Sequence, residues 1–542
     1  MLFRSGGTIN VTGTGNTITS TTGTALNVAN TTIGASNLNF QSISANGAAN
    51  GIIVNNTGTS GGLVVTGTGS AGTGGTIQNS TSDGVVITSS QSPNLSYMNI
   101  NDQLGGATDD GMVFTNITGS VNFSNLSISG SPHNGITFDN FNTNLTSFVM
   151  TNCTIACPPG FPCQPSGSVG NDGILLVMRG TSILTSGLIS GCTFSGVRAV
   201  AVQIQTNDAA RIGSASGGLI TAPVLSNSFT VQNNTFTGNG QGIDMATSQV
   251  SSMAFQILNN TIVGKLTIPN AIANTASSHA INVFTAAGAD TGPGSHFFVG
   301  KIDGNSIGTQ GVKDSGAGFG SGVRAVVQGQ TTQGNITISN NIIRETPNST
   351  IISVYGQNGA AVAGSNTAHF KIVNNTLPAP TGSNLSLCGP ANTPCAEDGI
   401  FILADEGTPV CNVITGNIIF DLTTLLGGTA DIYLAERAGP PAGAQLTVEG
   451  TGGSNSAYII ANNTLAGPSK FIDEGANTSQ VALGGCGSFP SIIGPPDNPV
   501  GKADNNLKIE QQKTKLYALK NVIPIKKDGD KWVSRTPEKV NK

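Results

Sequence analysis

The runs FTVQNNTF (229–236), GNGQGIDMAT (238–247) and AFQILNNTI (254–262) decide the fold of this chain. The first and third runs alternate apolar with polar residues and then read Asn-Asn-Thr-apolar, whereas the second has the form Gly-apolar-x-apolar. Alternation with a period of two, bounded by Gly and Asn, is typical of short β-strands. The same unit recurs along most of the chain, and the pattern therefore predicts a repeat protein.

Both halves of this unit recur at spacings that indicate a solenoid. The spacing is 27 residues from Gly84 to Gly111 and 24 residues from Gly111 to Gly135, and longer intervals contain insertions such as 156–170. A near-constant minimum spacing with inserted loops is typical of stacked coils. Three short strands and three turns per coil favour an all-β, single-stranded right-handed parallel β-helix with strands about 4.8 Å apart. The half-units recur at ANGIIV (49–54), SDGVVI (82–87), DDGMVF (109–114), HNGITF (133–138), NDGILL (171–176), TISNNII (337–343), KIVNNTL (371–377), EDGIFI (397–402), VITGNII (413–419) and IIANNTL (459–465).

Composition supports an all-β chain with a thin core. Of the 542 residues 74 are Gly and only 9% are charged, while Thr, Ser, Asn, Val and Ile are abundant. Asn and Gly favour turns, and β-branched residues favour strands. Aromatic residues, at 5%, are too few for a conventional large core but sufficient for a coil lined with Ile, Val and Leu. A β-sandwich would instead require hairpin turns such as Asn-Gly between its strands.

The Asn-Asn pair suits a coil corner for two physical reasons. Asn tolerates the left-handed backbone conformation that a tight corner requires. Stacked coils also place one Asn above the next, so that the side-chain amides can hydrogen-bond in a ladder along the axis. The apolar residue after the pair then points into the core.

The repeats predict a β-helix over residues 1–486, followed by a linker and a basic C-terminal tail over 487–542. In the tail, residues 507–520 have the pattern of a helix, and 522–533 that of a hairpin turning at Asp528-Gly529. The segment 502–542 contains eleven basic and five acidic residues, whereas residues 1–501 contain 12 basic and 23 acidic residues, a net charge of −11. Because nucleic-acid binding requires a basic surface, the acidic main body excludes it.

The sequence also bears on localisation. It contains no run of 18 apolar residues, and we therefore expect no transmembrane helix. No signal peptide is visible, and repeat-like sequence follows Met1 at once, so we expect the chain to be a fragment of a longer protein.

The segments GTALNVANTTIGASNLNFQSISANGAANGIIVNNTG (23–58), GGTIQNSTSDGVVI (74–87) and FTVQNNTFTGNGQGI (229–243) resemble large secreted bacterial proteins built from right-handed β-helix repeats, a pectin-lyase-like fold. Some of these are autotransporter-like or haemagglutinin-like surface proteins. The resemblance extends over roughly residues 7–480. It implies a secreted or cell-surface protein, monomeric in this region, whose partner is a carbohydrate or the surface of a host or neighbouring cell. Many such proteins are regarded as adhesins.

The eight cysteines predict disulfides in two loops and no metal site. Cys157 and Cys163 bracket Pro-Pro-Gly-Phe-Pro, and Cys388 and Cys395 bracket Gly-Pro-Ala-Asn-Thr-Pro, so each pair can close a short loop in an oxidising compartment. Two further cysteines stand where other units have Asn, and we expect them to be small buried side chains; these are Cys153 and Cys192. Because neither a CxxC motif nor clustered His is present, we expect no metal and no cofactor.

The carboxylates Asp83, Asp109 and Asp110, together with His133, are the candidates for catalysis. They lie one coil apart, so stacking brings them onto one face, and paired carboxylates can act as acid and base on a glycosidic bond. Their order resembles polygalacturonase-like hydrolases, which implies Asp110 as the acid, Asp83 or Asp109 as the residue that activates water, and His133 as an assistant. However, Gly111 replaces that family's Cys, and its Arg-x-Lys clamp is not evident. The alternative is a turn requirement, because the residue before the Gly is polar in nearly every coil; these residues are Asn50, Asp83, Asp110, Asn134, Asp172 and Asp398.

A second set of candidates would bind a ligand. Arg198 and Arg324 occupy identical Ser-Gly-Val-Arg-Ala-Val segments, and His279 lies in the related segment Ser-His-Ala-Ile-Asn-Val. The three residues either fill a structural position at a strand start or form a polar stripe for an anionic sugar. The sequence favours an exported, non-catalytic β-helix that acts as a cell-surface stalk or adhesin. The alternative is a polysaccharide hydrolase or lyase on the same scaffold.

Overall fold

In the computed structural model nearly all regular structure is β-strand, and the described residues contain one α-helix. Those residues are 2–4, 6–101, 106, 108–157, 172–213, 227–264, 279–285, 296–317, 320–329, 331–346, 349–357, 367–381, 398–405, 407–420, 430–437, 445–466, 470–474, 478–487, 489, 525–528 and 531–534.

Three long parallel sheets, here called A, B and C, contain 15, 16 and 14 strands. Sheet A comprises β1 (Leu2–Arg4), β4 (Leu26–Ala29), β7 (Ile52–Asn55), β10 (Val85–Thr88), β13 (Met112–Thr115), β16 (Ile136–Phe141), β19 (Ile174–Arg179), β22 (Val200–Thr206), β26 (Gln241–Thr247), β29 (Ile281–Thr285), β32 (Val323–Gln328), β35 (Ile352–Gln357), β38 (Asp398–Ala404), β41 (Ala430–Glu436) and β44 (Phe471–Asp473). Sheet B comprises β2 (Thr8–Val11), β5 (Thr32–Phe40), β8 (Leu63–Val65), β11 (Asn94–Ser96), β14 (Ser120–Ser124), β17 (Leu145–Thr151), β20 (Ile183–Ser190), β23 (Arg211–Ile212), β24 (Phe229–Gln232), β27 (Ser252–Leu258), β30 (His296–Asp303), β33 (Thr332–Ser339), β36 (Thr367–Val373), β39 (Pro409–Thr415), β42 (Gln445–Glu449) and β45 (Ser479–Val481). Sheet C comprises β3 (Thr17–Ser20), β6 (Ser42–Asn46), β9 (Thr76–Gln78), β12 (Asn99–Asn101), β15 (Ser127–Ser129), β18 (Thr154–Ala156), β21 (Thr193–Ser195), β25 (Thr235–Asn239), β28 (Thr261–Gly264), β31 (Ser306–Ile307), β34 (Ile342–Ile343), β37 (Thr376–Leu377), β40 (Ile418–Ile419) and β43 (Thr464–Leu465).

The strand order in these sheets is that of a parallel β-helix. The chain visits sheets A, B and C in turn, and each strand pairs in parallel with the corresponding strands of the coils before and after it. Every strand pair in the three sheets is parallel, as the register of β10 with β13 illustrates: Val85 lies beside Met112 and Ile87 beside Phe114. The predicted β-helix fold is therefore confirmed.

The core is a column of stacked apolar side chains inside the coils. Alternate residues of each strand point inward, and in sheet C Ile77, Ile100 and Ile128 lie above one another. In sheet B, Gly187 lies between Phe148 and Phe229 in register, and the two rings stack with their centroids 6.1 Å apart. Because Gly187 has no side chain, the neighbouring ring can occupy the space above it.

The Asn-Asn corners form the predicted ladder, here called the asparagine ladder. At four of these corners the first Asn has a positive φ, as at Asn233 (55°) and Asn259 (53°), and the second Asn is buried. The buried amide of Asn234 donates to Oδ1 of Asn260 at 3.0 Å, and that of Asn260 donates to Oδ1 of Asn305 at 3.0 Å. The same bonds link the remaining members Asn341, Asn375, Asn417 and Asn463.

Cys153 and Cys192 continue the asparagine ladder towards the N-terminus as buried free thiols. Cys192 Sγ accepts the backbone N–H of Cys153 at 3.3 Å, and Cys192 N–H donates to Asn234 Oδ1 at 2.8 Å. The expectation of small buried side chains at these positions agrees with the structure.

The run 459–465 differs from its expected strand. A helix, α1 (Asn455–Asn462), covers its first residues, and the Ser454 side chain caps this helix by accepting the N–H of Ala457 at 3.2 Å. Capping by Ser and the helix propensity of Ala favour a helix here despite the repeat pattern. Asn463 nevertheless keeps its place in the asparagine ladder.

Near the C-terminus, the disulfide Cys411–Cys486 links β39 to the segment after β45, with a Cα–Cα distance of 5.5 Å. Beyond it, β46 (Ile525–Asp528) and β47 (Lys531–Ser534) form an antiparallel pair at the expected hairpin. The expected helix at 507–520 lies outside the described residues, and the boundary at 486–487 stays a prediction. Within the described ranges no helix is long and apolar enough to cross a membrane.

Candidate functional site

The candidate carboxylates form hydrogen bonds that hold the turn before sheet A, here called the turn ladder (Asp83, Asp110, Asn134 and Asp172). Asp83 Oδ1 accepts the N–H of Asp110 at 2.7 Å, and Asp110 Oδ1 accepts that of Asn134 at 2.8 Å. Asn134 Oδ1 accepts the N–H of Asp172 at 2.8 Å, and Asp172 Oδ1 accepts that of Val200 at 3.0 Å. Each side chain thus satisfies a backbone donor of the next coil, as expected of a turn requirement.

His133 and Asp109 lie beside the turn ladder. His133 Nδ1 lies 2.6 Å from Asp110 Oδ1, and the two groups form an ion pair when the imidazole is protonated. The carboxylate of Asp109 accepts the backbone N–H of Gly106, and its carbonyl accepts that of His133. The structure therefore brings the four predicted residues together. The bonds of Asp83 and Asp109 serve the backbone, and Asp110 bonds both to the backbone and to His133.

Burial raises the pKa of two turn-ladder carboxyl groups. Burial is the main cause of the raised pKa of Asp83, and it raises the pKa of Asp172 to about 7 against the opposing hydrogen bond from Val200. Asp172, His133 and Arg198 line a small surface pocket with room for about one water molecule. Asp83, Asp109 and Asp110 do not line this pocket.

The glycine after the turn ladder is required by the close approach of the next coil. A Cβ at Gly111 would lie 2.8 Å from the carbonyl oxygen of Gly135 and 2.6 Å from Ser131 Oγ. The polar-Gly step is therefore a packing feature of the scaffold.

The predicted ligand-binding residues do not form one stripe. Arg198 lines the pocket just described. His279 stands two residues before its sheet A strand, the same position that turn-ladder residues such as Asp110 occupy in earlier coils. His279 Nδ1 accepts the N–H of Ser321 at 2.8 Å, and its pKa is well below the usual value because of burial and, secondarily, Arg324. Of the three, Arg324 alone projects from the outer face of a sheet A strand, at an alternate position of β32.

The outer face of sheet A carries a row of side chains, one per strand, that are in register from β22 to β41. Its members change from polar to aromatic along the axis. This sheet A outer row consists of Gln203, Asp244, Asn282, Arg324, Ser353, Phe401 and Tyr433.

Asp244 is the acidic member of the sheet A outer row. Its Oδ2 accepts hydrogen bonds from Gln241 Nε2 at 2.9 Å and Asn282 Nδ2 at 3.2 Å, while its buried Oδ1 has no partner. Burial raises the pKa of Asp244 to about 6, and the two hydrogen bonds and Arg324 oppose this shift. Asp244 is therefore a carboxyl group that titrates closer to neutrality than usual.

At the aromatic end of the row, the rings of Phe401 and Tyr433 are in edge contact, and Tyr355 of β35 lies beside them. The ring centroids of Tyr355 and Phe401 are 5.7 Å apart, and those of Phe401 and Tyr433 are 5.4 Å apart. Phe401 is buried, whereas Tyr355 and Tyr433 are half-buried. Burial, followed by a hydrogen bond to Glu474, raises the pKa of Tyr433.

Sequence reasoning identified Arg324 but missed its partners in the row. Asp244 and Asn282 are 38 residues apart, and Asn282 and Arg324 are 42 residues apart, because insertions lengthen these coils. The signal that was available is the alternation within each strand, which places Asp244, Asn282 and Arg324 at outward positions.

Of the four cysteines predicted to form loop disulfides, only Cys157 lies among the described residues. Cys157 takes part in a disulfide, while Cys163, Cys388 and Cys395 lie outside the described residues, so both loop pairings stay predictions. The Cys411–Cys486 bond was not foreseen. Among the residues that the structure describes, no group of His, Cys, Asp and Glu could hold a metal ion.

No protein-family model matches the chain, and no curated protein matches it. A solved structure with some likeness is the A-module of the mannuronan C-5 epimerase AlgE6 from Azotobacter vinelandii. The identity is 12% over 84% of this chain and 92% of that chain, with a TM-score of 0.23, and a likeness this slight carries no inference about activity. The class of protein is the one that the three sheets define, a parallel β-helix.

Proposed function

We propose that the protein is an exported, non-catalytic β-helix that binds polysaccharide along the sheet A outer row and acts as a cell-surface stalk or adhesin. The observation that carries this proposal is the row itself. It places one side chain on each of seven successive strands, polar at one end and aromatic at the other. Asp244, Asn282, Ser353 and Phe401 are buried, whereas Gln203, Arg324 and Tyr433 are half-buried. An extended polymer along the sheet can contact these three in turn, because neighbouring strands are about 4.8 Å apart.

The two kinds of side chain suit the two kinds of surface on a sugar. Half-buried tyrosines such as Tyr355 and Tyr433 present an apolar ring with a polar tip. Gln203 and Arg324, which are half-buried, present donor groups that can bond to hydroxyl groups.

Absence of catalysis is supported by the arrangement of carboxylates. Glycosidases use two carboxyl groups about 5 to 9.5 Å apart. Among its described members, the sheet A outer row contains a single carboxylate, Asp244. The predicted acid Asp110 instead accepts a backbone hydrogen bond in the turn ladder.

Export is supported by cysteine chemistry. The Cys411–Cys486 disulfide and the disulfide at Cys157 favour an oxidising compartment, since disulfides are rare in the cytosol.

A polysaccharide-active enzyme is the second candidate, and Asp244 favours it. Its Oδ1 lacks a partner and its pKa is raised to about 6, which suits a group that accepts a proton near neutral pH. Arg324, two strands away, could neutralise an acidic substrate group.

The test combines a polysaccharide array with an assay for new reducing ends and unsaturated products. We expect binding without product, and we expect Tyr433→Ala to weaken binding. The matched control is Tyr97→Asn, which removes a tyrosine from a turn elsewhere and retains a residue that tolerates φ of 57°. Product formation that disappears in Asp244→Asn would establish the enzyme instead. Equal binding by Tyr433→Ala and the parent protein would contradict the proposed surface.

A further inference from the structure

Arg324 is a desolvated cation for which the described part of the chain provides no acidic partner within ion-pair distance. Its Nη1 donates to Asn282 Oδ1 at 3.1 Å, and its guanidinium carbon lies 5.6 Å from the centroid of the Tyr355 ring. Burial lowers the pKa of Arg324, which shows that its environment disfavours the charge. Because burying a charge without a counter-ion is unfavourable, the position favours an anion.

Asp244 does not serve as the counter-ion. It lies at the same register position two strands away, which corresponds to about 10 Å along the axis. Asn282 lies between them and uses both ends of its amide, with Oδ1 accepting from Arg324 and Nδ2 donating to Asp244. The three side chains are thus held in fixed positions. Asp244 Oδ1 is enclosed, whereas Arg324 is half-buried, and in the described part of the chain its other guanidinium donors make no hydrogen bond.

Arg324 also carries the positive charge of this cluster alone. His279, the nearby imidazole, accepts the N–H of Ser321 through Nδ1 and has a pKa well below the usual value because it is buried. It is therefore neutral near neutral pH, and Arg324 is the cation that an anionic ligand meets.

We propose that Arg324 binds a carboxylate or sulfate group of the polysaccharide. The inference rests on the proposed function and names the ligand class as an anionic polysaccharide. A planar guanidinium binds such groups through paired N–H donors, and Asn282 and the Tyr355 ring hold it in place.

The experiment is calorimetric titration of the full chain with four probes. Polygalacturonate is compared with its methyl ester, which has the same backbone without charge, and dextran sulfate is compared with dextran. For the parent protein we expect at least one charged chain to bind about tenfold or more tightly than its neutral counterpart. This comparison uses no variant, so it does not depend on whether a variant folds.

Variants then assign the effect to Arg324. We expect Arg324→Gln to remove the preference for the charged chain and to leave binding of the neutral chain unchanged. Arg179→Gln is the matched control, because Arg179 lies on the same sheet but pairs with Asp139.

The outcomes separate the two proposals. Equal affinity for charged and neutral chains, or an unchanged preference in Arg324→Gln, would overturn the anionic site and leave polysaccharide binding intact. Failure of all four probes to bind would overturn polysaccharide binding itself and the inference with it. Preference for dextran sulfate over polygalacturonate would support the site and identify sulfate as its group.

Discussion

Replacing Asn260 by Ala perturbs the asparagine ladder at a position whose side chain makes four hydrogen bonds. Asn260 Oδ1 accepts from both N and Nδ2 of Asn234, each at 3.0 Å. Its Nδ2 donates to the Val231 carbonyl oxygen at 2.9 Å and to Asn305 Oδ1 at 3.0 Å. All these groups belong to buried residues, so water cannot readily replace the lost partner.

The magnitude follows from the groups left behind. Truncation removes the acceptor for Asn234 N and a donor to the Val231 carbonyl, whereas Asn305 Oδ1 retains the backbone N–H of residue 260. A buried polar group without a partner costs about 1–3 kcal/mol, so the free energy of unfolding should fall by about 2–6 kcal/mol.

The neighbouring Asn259 supplies the matched control. It is exposed and has φ of 53°, which Gly also adopts readily. Asn259→Gly should therefore change the free energy of unfolding by less than about 0.5 kcal/mol.

Urea unfolding followed by circular dichroism measures this free energy, and amide hydrogen exchange locates the loss. We expect faster exchange in residues 229–262 of Asn260→Ala. An unfolding free energy for Asn260→Ala within about 0.5 kcal/mol of the parent value, or equal losses in both variants, would refute the structural role of the asparagine ladder.

Three further predictions concern packing, covalent linkage and pH. A Cβ at Gly300 would overlap the Phe255 ring, so Gly300→Ala should lower the free energy of unfolding by about 1–3 kcal/mol. Adding Phe255→Leu should partly restore the lost stability. Gly23→Ala is the control and should leave the free energy of unfolding unchanged, because the atom nearest to its new Cβ, Ser20 Oγ, is 3.6 Å away. Replacing both Cys411 and Cys486, which are 75 residues apart, by Ser should cost about 4 kcal/mol, measured as earlier urea unfolding and faster exchange near β39; unchanged unfolding would contradict this. The pKa of Asp172 is raised from 3.8 to about 7 in the folded chain. Between these two values the folded state retains a proton that the unfolded state releases. The free energy of unfolding should therefore fall by up to about 4 kcal/mol as pH rises from about 4 to about 7. Asp172→Asn, which keeps the acceptor for Val200 N–H, should reduce that slope in urea titrations at several pH values, and an unaltered slope would exclude Asp172 as its source.

The fold could be predicted because its corners follow local chemistry. Positive φ at the first Asn of a pair and burial of the second follow from the residues themselves, and they recur at 233–234, 259–260, 340–341 and 374–375. The helix at 455–462 was not predicted, because the repeat pattern continues into Asn463. That pattern competes with the two helix signals, which are the cap Ser454 and the Ala-containing run after it.

The candidate site was harder to predict because it depends on register between coils. Asp83, Asp110 and His133 lie in coils of nearly equal length, so their contact could be predicted, although their function as turn residues depends on hydrogen bonds to the backbone. Asp244, Asn282 and Arg324 are separated by insertions, and their alignment becomes visible only when the strands are paired.

Hydroxyl-radical footprinting of the protein with a bound polysaccharide tests most directly whether the sheet A outer row or the turn ladder meets the ligand. Both surfaces have half-buried side chains that react with the radical, namely Tyr433 on the row, Tyr355 beside the row and His133 beside the turn ladder. We predict that the ligand lowers oxidation of Tyr355 and Tyr433 and leaves that of His133 unchanged. Protection of His133 with both tyrosines unaffected would contradict the proposed binding surface.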